Sequence, residues 1–215
     1  MTNERGSTKA NLKVYLGLGS NIGDRRANLR EAVARIEELG VAVLRESSIY
    51  ETEPVGFKDQ SWFLNQAIEL RVDLEVTFGG AVMADPIEAA YDQQHRDYAS
   101  SLRVLELHKA LQRIEREMGR QRTIPDGPRV IDIDVLLCGD MTDFWAETHG
   151  LATAMAGPPY LTVPHPRMHL RRFVLEPLCE IAPDAIHPVF KKTCREMLAS
   201  LDDPSIVRRY DPARS

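Results

Sequence analysis

The chain has no apolar run long enough to cross a membrane and no signal-peptide hydrophobic core. It also has no surplus of basic residues, because 27 Lys and Arg stand against 32 Asp and Glu, giving a net charge of −5. A general nucleic-acid-binding protein shows the opposite balance. We therefore expect neither a membrane nor a nucleic-acid partner, although a local basic pocket for a small anion remains compatible with this composition.

Cysteine is scarce as well. Cys138, Cys179 and Cys194 are odd in number, scattered along the chain, and without the spacing of a metal site. Such a set indicates free thiols in a reducing compartment, so we expect a cytoplasmic protein. We expect a stand-alone protein without an obligate protein partner.

The common phosphate-binding loops are also missing. Gly17-x-Gly19-x-x-x-Gly23 is neither a dinucleotide fingerprint nor a Walker A loop, since no Gly-Lys-Ser/Thr follows. The pattern lies between a predicted strand at 12–18 and a predicted helix at 25–39. These glycines are interpreted as residues that the turn requires.

What the chain does contain is an acidic pair on a predicted strand over 127–137. Ile131, Ile133 and Val135 alternate with Asp132 and Asp134, which places both carboxylates on the face opposite the apolar side chains. Two carboxylates about 7 Å apart along a strand repel each other unless a cation lies between them. Oxygen ligands of this kind suit Mg²⁺, whose other positions are filled by water and phosphate.

Basic residues flank this acidic strand in sequence. Arg120 and Arg129 precede the two aspartates, and arginine is well suited to bidentate phosphate contacts. Further along, prolines on both sides hold His165 in an extended loop, with Arg171 and Arg172 nearby. Together these features indicate a site for a polyphosphate.

A possible site for a flat ring lies on the predicted strand at 62–72. Phe63 and Asn65 share one face of it, where an aromatic side chain can stack on a heterocycle and an amide can pair with its edge. Ordinary packing of Phe63 in a core is the competing interpretation.

The rest of the chain predicts one domain over 12–215 after a flexible tail at 1–11. A strand is expected at 41–50, a second long helix at 102–118 and a short one at 194–201, opened by the capping box Thr193-x-x-Glu196. Residues 74–100 and 141–160 interrupt these patterns and are interpreted as insertions.

Several segments together resemble the 6-hydroxymethyl-7,8-dihydropterin pyrophosphokinase family, and they occur in the family's order. The matching segments are Gly17-Leu18-Gly19-Ser20-Asn21-Ile22-Gly23-Asp24, Ser48-Ile49-Tyr50-Glu51-Thr52-Glu53-Pro54, Phe63-Leu64-Asn65, Ile114-Glu115-x-x-x-Gly119-Arg120, Gly127-Pro128-Arg129-x-Ile131-Asp132-Ile133-Asp134, Val163-Pro164-His165-Pro166-x-Met168, Phe173-Val174-Leu175-x-Pro177-Leu178 and Glu180-Ile181-Ala182-Pro183.

The resemblance implies an α+β fold, with a ferredoxin-like antiparallel sheet flanked by helices in three α-β-α layers. It implies transfer of pyrophosphate from ATP to the hydroxymethyl group of the dihydropterin, which releases AMP in folate biosynthesis. Asp132 and Asp134 would hold two Mg²⁺ ions. The other implied roles are phosphate contacts by Arg120, Arg129 and His165, a place on the nucleotide side for Glu115, a pterin sandwich of Phe63 and Phe173, and pterin-edge contacts by Thr52, Val55 and Asn65.

The sequence departs from the family pattern in two loops. Asp126 stands where some relatives have tryptophan, in a loop one residue shorter, which leaves the role of Arg122 open; Pro166 stands where some have tyrosine. Two other functions stay open. One is a different Mg²⁺-dependent nucleotide phosphotransferase or hydrolase, and the other is a ferredoxin-like binding domain that has lost its chemistry.

Overall fold

An antiparallel sheet forms the middle of the molecule in the computed structural model, which describes residues 11–73, 93–121, 124, 126–144 and 161–214. The strands of the described residues are β1 (Asn11–Ser20), β2 (Ala42–Glu46), β3 (Tyr50–Thr52), β4 (Phe63–Asp73), β5 (Asp132–Cys138), β6 (Asp143–Phe144), β7 (Thr162–Val163) and β8 (Val207–Arg209). Six of them form the sheet in the order β5-β1-β4-β3-β8, with β2 also paired to β4, while β6 and β7 pair separately.

Helices cover both faces of this sheet. They are α1 (Arg25–Glu37), α2 (Gln93–Glu117), α3 (Arg172–Ile181) and α4 (Cys194–Ala199), with short 3-10 turns at Met168–Leu170 and Pro212–Arg214. On one face, α1 and α2 pack Leu29 and Leu107 against Leu16 of β1. On the other face, Leu175 of α3 and Met197 of α4 pack in a second cluster. The three α-β-α layers expected from the resemblance are confirmed.

Local sequence explains where the helices begin. Asp24 caps α1, since its Oδ1 accepts a hydrogen bond of 2.9 Å from the backbone N–H of Ala27. The capping box predicted before α4 is present, with the Thr193 and Glu196 side chains each accepting from the other residue's backbone N–H.

Three strand or helix limits differ from the sequence prediction. The strand expected at 41–50 is divided into β2 and β3, because the side chain of Ser47 accepts a hydrogen bond of 3.0 Å from the backbone N–H of Ala67. The acidic strand begins only at Asp132, because Asn21 binds the backbone of Arg129 upstream. The second long helix begins at Gln93, so residues 93–100 belong to α2 rather than to an irregular insertion.

Helix α3 was not predicted. Pro177 lies inside it, and proline there removes one backbone hydrogen bond, which ordinarily argues against a helix. Its apolar residues nevertheless recur at helical spacing and are buried: Val174, Leu175, Leu178 and Ile181. Burial of this face against the sheet outweighs the missing bond.

The expected tail and insertions fall largely outside the described residues. This holds for residues 1–10, 74–92 and 145–160, whereas Asn11 already belongs to β1. Where the second expected insertion begins and ends, β6 and β7 pair side by side. In the described part of the chain, no helix has the length and apolar character needed to cross a membrane.

Candidate active site

A cavity of about 680 Å³ opens on the sheet face that carries α3. It lies over β1, β4 and β5 and is bordered by the loops that follow β3 and α2. Ten of the residues singled out in the sequence line it: Thr52, Val55, Phe63, Asn65, Arg120, Arg129, Asp132, Asp134, His165 and Phe173. Glu115 is not among the lining residues and lies beneath the cavity, against Arg120.

The acidic pair occupies the cavity floor as the alternation of the strand predicted. Ile133 and Val135 are buried in the core between sheet and α1/α2, while Asp132 and Asp134 face the cavity. Asp132 is engaged by two arginines, with 2.6 Å from its Oδ1 to Arg120 Nη1 and 3.0 Å from its Oδ2 to Arg129 Nε. Asp134 is the more open of the two, with 42% of its side chain exposed.

The surroundings of Asp134 disfavour its negative charge. Although 42% of its side chain is open to the cavity, the carboxyl lies deep among protein atoms. This desolvation, and then the neighbouring Asp132 carboxylate, raise the pKa of Asp134 to about 7, against opposing effects from Arg171 and Arg129. A carboxylate held in this way gains from a nearby cation, so a divalent metal ion fits the position. Among the described residues no cluster of three or more His, Cys, Asp or Glu side chains could hold a metal. Mg²⁺ typically takes one or two carboxylates and fills its other positions with water and phosphate.

Glu115 holds the arginine that faces this pair. Its carboxylate is buried, accepts a hydrogen bond of 2.7 Å from the Ile133 backbone N–H, and pairs with the Arg120 guanidinium. Arg120 is only 9% exposed, and its Nε has no hydrogen-bond acceptor among the described residues. A buried cationic group with an unused donor is well placed to bind an anion.

Arg129 connects the acidic side of the cavity to the aromatic side. Its backbone N–H donates to Asn21 Oδ1 at 2.7 Å, and the Asn21 N–H donates to the Arg129 carbonyl at 3.1 Å. Its guanidinium lies 5.1 Å from the ring centroid of Phe63. The side chain therefore lies beside both the metal-type carboxylates and the ring expected to stack on a heterocycle.

His165 faces the acidic pair as a neutral imidazole. Burial, and then the positive charges of Arg171 and Arg167, lower the pKa of His165 to about 4. Its Nδ1 accepts from the Arg167 backbone N–H at 3.2 Å, so Nε2 carries the proton. Nε2 lies 4.0 Å from Asp134 Oδ2, and is positioned to donate to an oxygen bound in the cavity.

The aromatic side of the cavity contains an ordered amide. Asn65 Nδ2 donates to Thr52 Oγ1 at 2.7 Å, and both residues are buried. Phe63 and Phe173 line the same cavity, while Val55 is 41% exposed on the loop after β3. The two phenylalanines are thus brought to one site, as the proposed sandwich requires.

Two loops meet at the mouth of the cavity. Gln60 Nε2 donates to the backbone carbonyl of Asp126 at 2.8 Å, and Gln60 Oε1 accepts from Asn21 Nδ2 at 2.9 Å. Asp126 itself has a positive φ of 51°. The loop after β3 and the loop before β5 are therefore joined directly, whereas Arg122 lies outside the described residues.

The family model described as 7,8-dihydro-6-hydroxymethylpterin-pyrophosphokinase (HPPK) matches residues 15–100 and 81–183. A 2-amino-4-hydroxy-6-hydroxymethyldihydropteridine pyrophosphokinase of Bacillus subtilis is 39% identical over 168 residues, which cover 78% of this chain and 76% of the relative. An enzyme of the same name from Methylorubrum extorquens is 36% identical over 197 residues, covering 91% and 98%. The chain belongs to the HPPK family. It is an ATP-dependent pyrophosphokinase of folate synthesis that acts on hydroxymethyldihydropterin.

A solved structure agrees with this HPPK assignment at the level of fold. The crystal structure of wild-type Plasmodium falciparum HPPK-DHPS with SDX-DHP matches with a TM-score of 0.57 at 14% identity. The match covers 88% of this chain and 44% of the Plasmodium chain, so the present HPPK chain spans less than half of that protein. The ferredoxin-like fold expected from the sequence is confirmed.

The HPPK cavity is also lined by Arg171, Gly17 and Gly19, although the sequence had placed Arg171 only near His165 and the two glycines in a turn. Arg171 lies 5.4 Å from the Phe173 ring centroid, whereas neighbouring Arg172 donates to the Asp203 carbonyl outside the cavity. Gly17 and Gly19 lie within β1, so their interpretation as turn residues is wrong; Gly23, with a φ of 67°, does serve the turn. The alternating pattern of β1 was the available signal for the two strand glycines.

Proposed function

We propose that pyrophosphate transfer takes place in the 680 Å³ cavity, with ATP at the acidic end and the dihydropterin in the aromatic slot. The observation that carries this proposal is that the acidic residues and the aromatic residues line one cavity. Asp132, Asp134 and their arginines border the same space as Phe63, Asn65 and Phe173. A single cavity can therefore hold a triphosphate and an alcohol-bearing ring in contact.

The metal-binding residues in this proposal are Asp132 and Asp134. They would hold two Mg²⁺ ions, whose positive charge would reduce the repulsion between the phosphates and an incoming alcohol oxygen. The donor set fits, because carboxylate oxygens are the ligands Mg²⁺ prefers and because the raised pKa of Asp134 indicates an uncompensated charge. Arg120 and Arg129 already neutralise Asp132, which leaves Asp134 as the carboxylate in greater need of a cation.

The phosphates are bound by the cationic and donor groups around this pair. Arg120 and Arg129 contact the phosphates as bidentate donors, and His165 donates through Nε2. Glu115 belongs to the nucleotide side through Arg120, which it fixes in place. As negative charge shifts towards the departing AMP, these preorganised donors stabilise it without rearranging.

The pterin is held by aromatic stacking on its faces and by polar contacts along its edge. Phe63 and Phe173 enclose the ring, while Thr52, Val55 and Asn65 contact its polar edge. The hydroxymethyl oxygen then bonds to the β-phosphorus as the bond from that phosphorus to the α–β bridging oxygen breaks. AMP leaves with the bridging oxygen, and the alcohol proton passes to solvent. No covalent enzyme intermediate is needed, so positioning of the two substrates supplies much of the rate enhancement. Closure of the two loops joined by Gln60 would exclude water that hydrolyses ATP.

The cellular setting follows from composition and thiol state. We place the enzyme in the cytoplasm, acting on ATP and the dihydropterin without an obligate protein partner. Cys138 and Cys194 are buried, Cys179 is half-buried, and no disulfide bond joins any of the three in the described structure. This supports a reducing compartment.

Product analysis tests the proposal. Purified protein is incubated with ATP, Mg²⁺ and 6-hydroxymethyl-7,8-dihydropterin, and nucleotides and pterins are separated by chromatography. Equal amounts of AMP and pterin diphosphate are expected. Release of ADP or free phosphate supports a different phosphotransferase or a hydrolase, and the absence of any turnover supports a binding domain. A crystal soaked with Mg²⁺, a non-hydrolysable ATP analogue and the pterin then tests where each group binds.

A further inference from the structure

Gly19 lies in β1 between the proposed pterin slot and the proposed metal pair. In the sheet register it is opposite Asn65 of β4 on one side and opposite Asp132 of β5 on the other. Paired residues of antiparallel strands present their side chains to the same face. A side chain at position 19 would therefore stand on the cavity floor between the Asn65 amide and the Asp132 carboxylate.

The space above Gly19 is already filled by the side chain of Asn65. A Cβ atom placed on Gly19 would lie 2.8 Å from Asn65 Oδ1 and 3.8 Å from Cδ1 of Phe63. Cβ atoms in proteins essentially never approach another heavy atom to less than 3.0 Å, so a contact of 2.8 Å requires something to shift. Any residue other than glycine would therefore displace the amide.

The Asn65 amide has little freedom to move away. Its Nδ2 donates to Thr52 Oγ1 at 2.7 Å, and only 8% of Asn65 and 2% of Thr52 are exposed. Among the described residues no donor reaches Asn65 Oδ1, so this oxygen is the acceptor left for a ligand. Rotating the amide to make room for a Cβ would break the Thr52 bond and turn Oδ1 away from its present direction.

We propose that Gly19 is a positioning residue for the dihydropterin. Its bare Cα lets the Asn65 amide lie against β1, with Nδ2 on Thr52 and Oδ1 presented to the N–H groups of the ring edge. This inference rests on the proposed role of Asn65 in reading the pterin. It assigns the glycine a part in substrate recognition rather than in chain reversal.

The Gly19→Ala variant tests the proposal. Binding of 6-hydroxymethyl-7,8-dihydropterin is measured by calorimetry with Mg²⁺ and a non-hydrolysable ATP analogue present, and binding of the analogue is measured separately. Pterin affinity is expected to fall about tenfold or more, which corresponds to about 1.4 kcal/mol. Analogue affinity is expected to change by less than about twofold, since the arginines are untouched.

A comparison variant, Gly17→Ala, adds the same methyl group to the same face of β1. A Cβ there would lie 3.4 Å from the Leu136 side chain, which is ordinary contact, and its three nearest atoms all belong to Leu136 rather than to Asn65. Its loss of pterin affinity is expected to be clearly smaller. Equal losses in the two variants would show that any added bulk on this floor weakens binding, and would overturn the specific role of Gly19.

A double-mutant cycle with Asn65→Ser separates positioning from simple structural damage. Serine is too short to clash, so Gly19→Ala should alter pterin affinity by less than about twofold in that background. Retained affinity in Gly19→Ala alone, or the same loss in both backgrounds, overturns the inference. If Gly19→Ala alone does not fold, the double variant with Asn65→Ser is expected to fold, because the clash is removed. A double variant that also fails to fold would overturn the inference. Unchanged affinity in Asn65→Ser alone would instead refute the proposed role of Asn65, and the inference with it.

Discussion

The Glu115 carboxylate of α2 accepts a hydrogen bond of 2.7 Å from the backbone N–H of Ile133, the residue between the two cavity aspartates. The same carboxylate pairs with Arg120, which in turn contacts Asp132. One buried acid outside the cavity thus links the helix, the acidic strand and a phosphate-type arginine. Substitutions at Glu115 can remove its negative charge while keeping or removing its ability to accept a hydrogen bond.

Replacing Glu115 with glutamine should weaken the nucleotide side of the reaction. The amide oxygen can still accept from Ile133, but the charge that holds Arg120 is lost, so kcat/KM for ATP should fall about 10- to 100-fold. KM for the pterin should change little. Steady-state kinetics with each substrate varied in turn measures both.

Glu115→Ala, which also leaves the Ile133 N–H unpaired, should in addition lose about 1–3 kcal/mol of unfolding free energy. Equal KM effects on both substrates would contradict this assignment.

Alternation along a strand was the most reliable guide to the site. It placed Asp132 and Asp134 on one face of β5 and Ile133 on the other. It also placed Phe63 and Asn65 together on one face of β4, and the structure shows both arrangements. A period of two is a property of the backbone and needs no tertiary information. The convergence of these faces on one cavity depends on the strand order and could not be read from spacing alone.

The loops and α3 show why the rest was not predictable. Arg171 and Arg172 are neighbours of the same type, yet one lines the cavity and the other binds Asp203. Which arginine faces inward is decided by where α3 begins and how its apolar face packs, and both depend on contacts distant in sequence. The break at Ser47 has the same origin, because its partner is Ala67 of β4.

Removing either cavity aspartate should abolish turnover while the fold persists. Asp132→Ala and Asp134→Ala each remove one proposed metal ligand, and we expect kcat to fall by roughly 10³-fold or more. Circular dichroism and thermal melting should show a folded protein. Mn²⁺ binding, followed by electron paramagnetic resonance in the presence of an ATP analogue, should weaken in both variants. Retained activity in both would refute the metal role.

Metal-free protein should be more stable when Asp134 is neutral. Burial and Asp132 raise the pKa of Asp134 to about 7, above its ordinary value of 3.8, so the folded state binds this proton more tightly than the unfolded chain. Stability should therefore fall as pH rises from about 4 to about 7. Asp134→Asn avoids that loss and should melt higher than wild type at pH 8 with EDTA present.

The same comparison made across pH provides the control. Below about pH 4 the wild-type carboxyl is protonated in both folded and unfolded states, so the difference in melting temperature should disappear. Added Mg²⁺ with an ATP analogue should stabilise the wild type more than Asp134→Asn, since the variant lacks a charged ligand. A melting temperature for Asp134→Asn at or below that of wild type at pH 8 would count against an uncompensated charge at this position.

Glu180 fastens α3, and with it Phe173 and Arg171, to the sheet. Its carboxylate accepts hydrogen bonds from the Ser48 hydroxyl at 2.8 Å and the Tyr50 hydroxyl at 2.9 Å. Burial raises the pKa of Glu180, but these bonds and the charge of Arg209 outweigh that effect and hold it below its ordinary value of 4.5. A carboxylate with a depressed pKa stabilises the fold above the unfolded-state pKa, and this contribution is lost as pH falls through the folded-state pKa.

Glu180→Gln should therefore lower the unfolding free energy at pH 7 by about 1–3 kcal/mol, and the difference from wild type should shrink below about pH 4.5. Urea denaturation at a series of pH values measures both effects. Because α3 carries Phe173, KM for the pterin should rise more than KM for ATP. Glu176→Gln on the same helix is the matched control, since Glu176 pairs only with Arg172 in the described structure and lies outside the cavity lining. A pH-independent difference between Glu180→Gln and wild type would show that the charge of Glu180 does not contribute to stability.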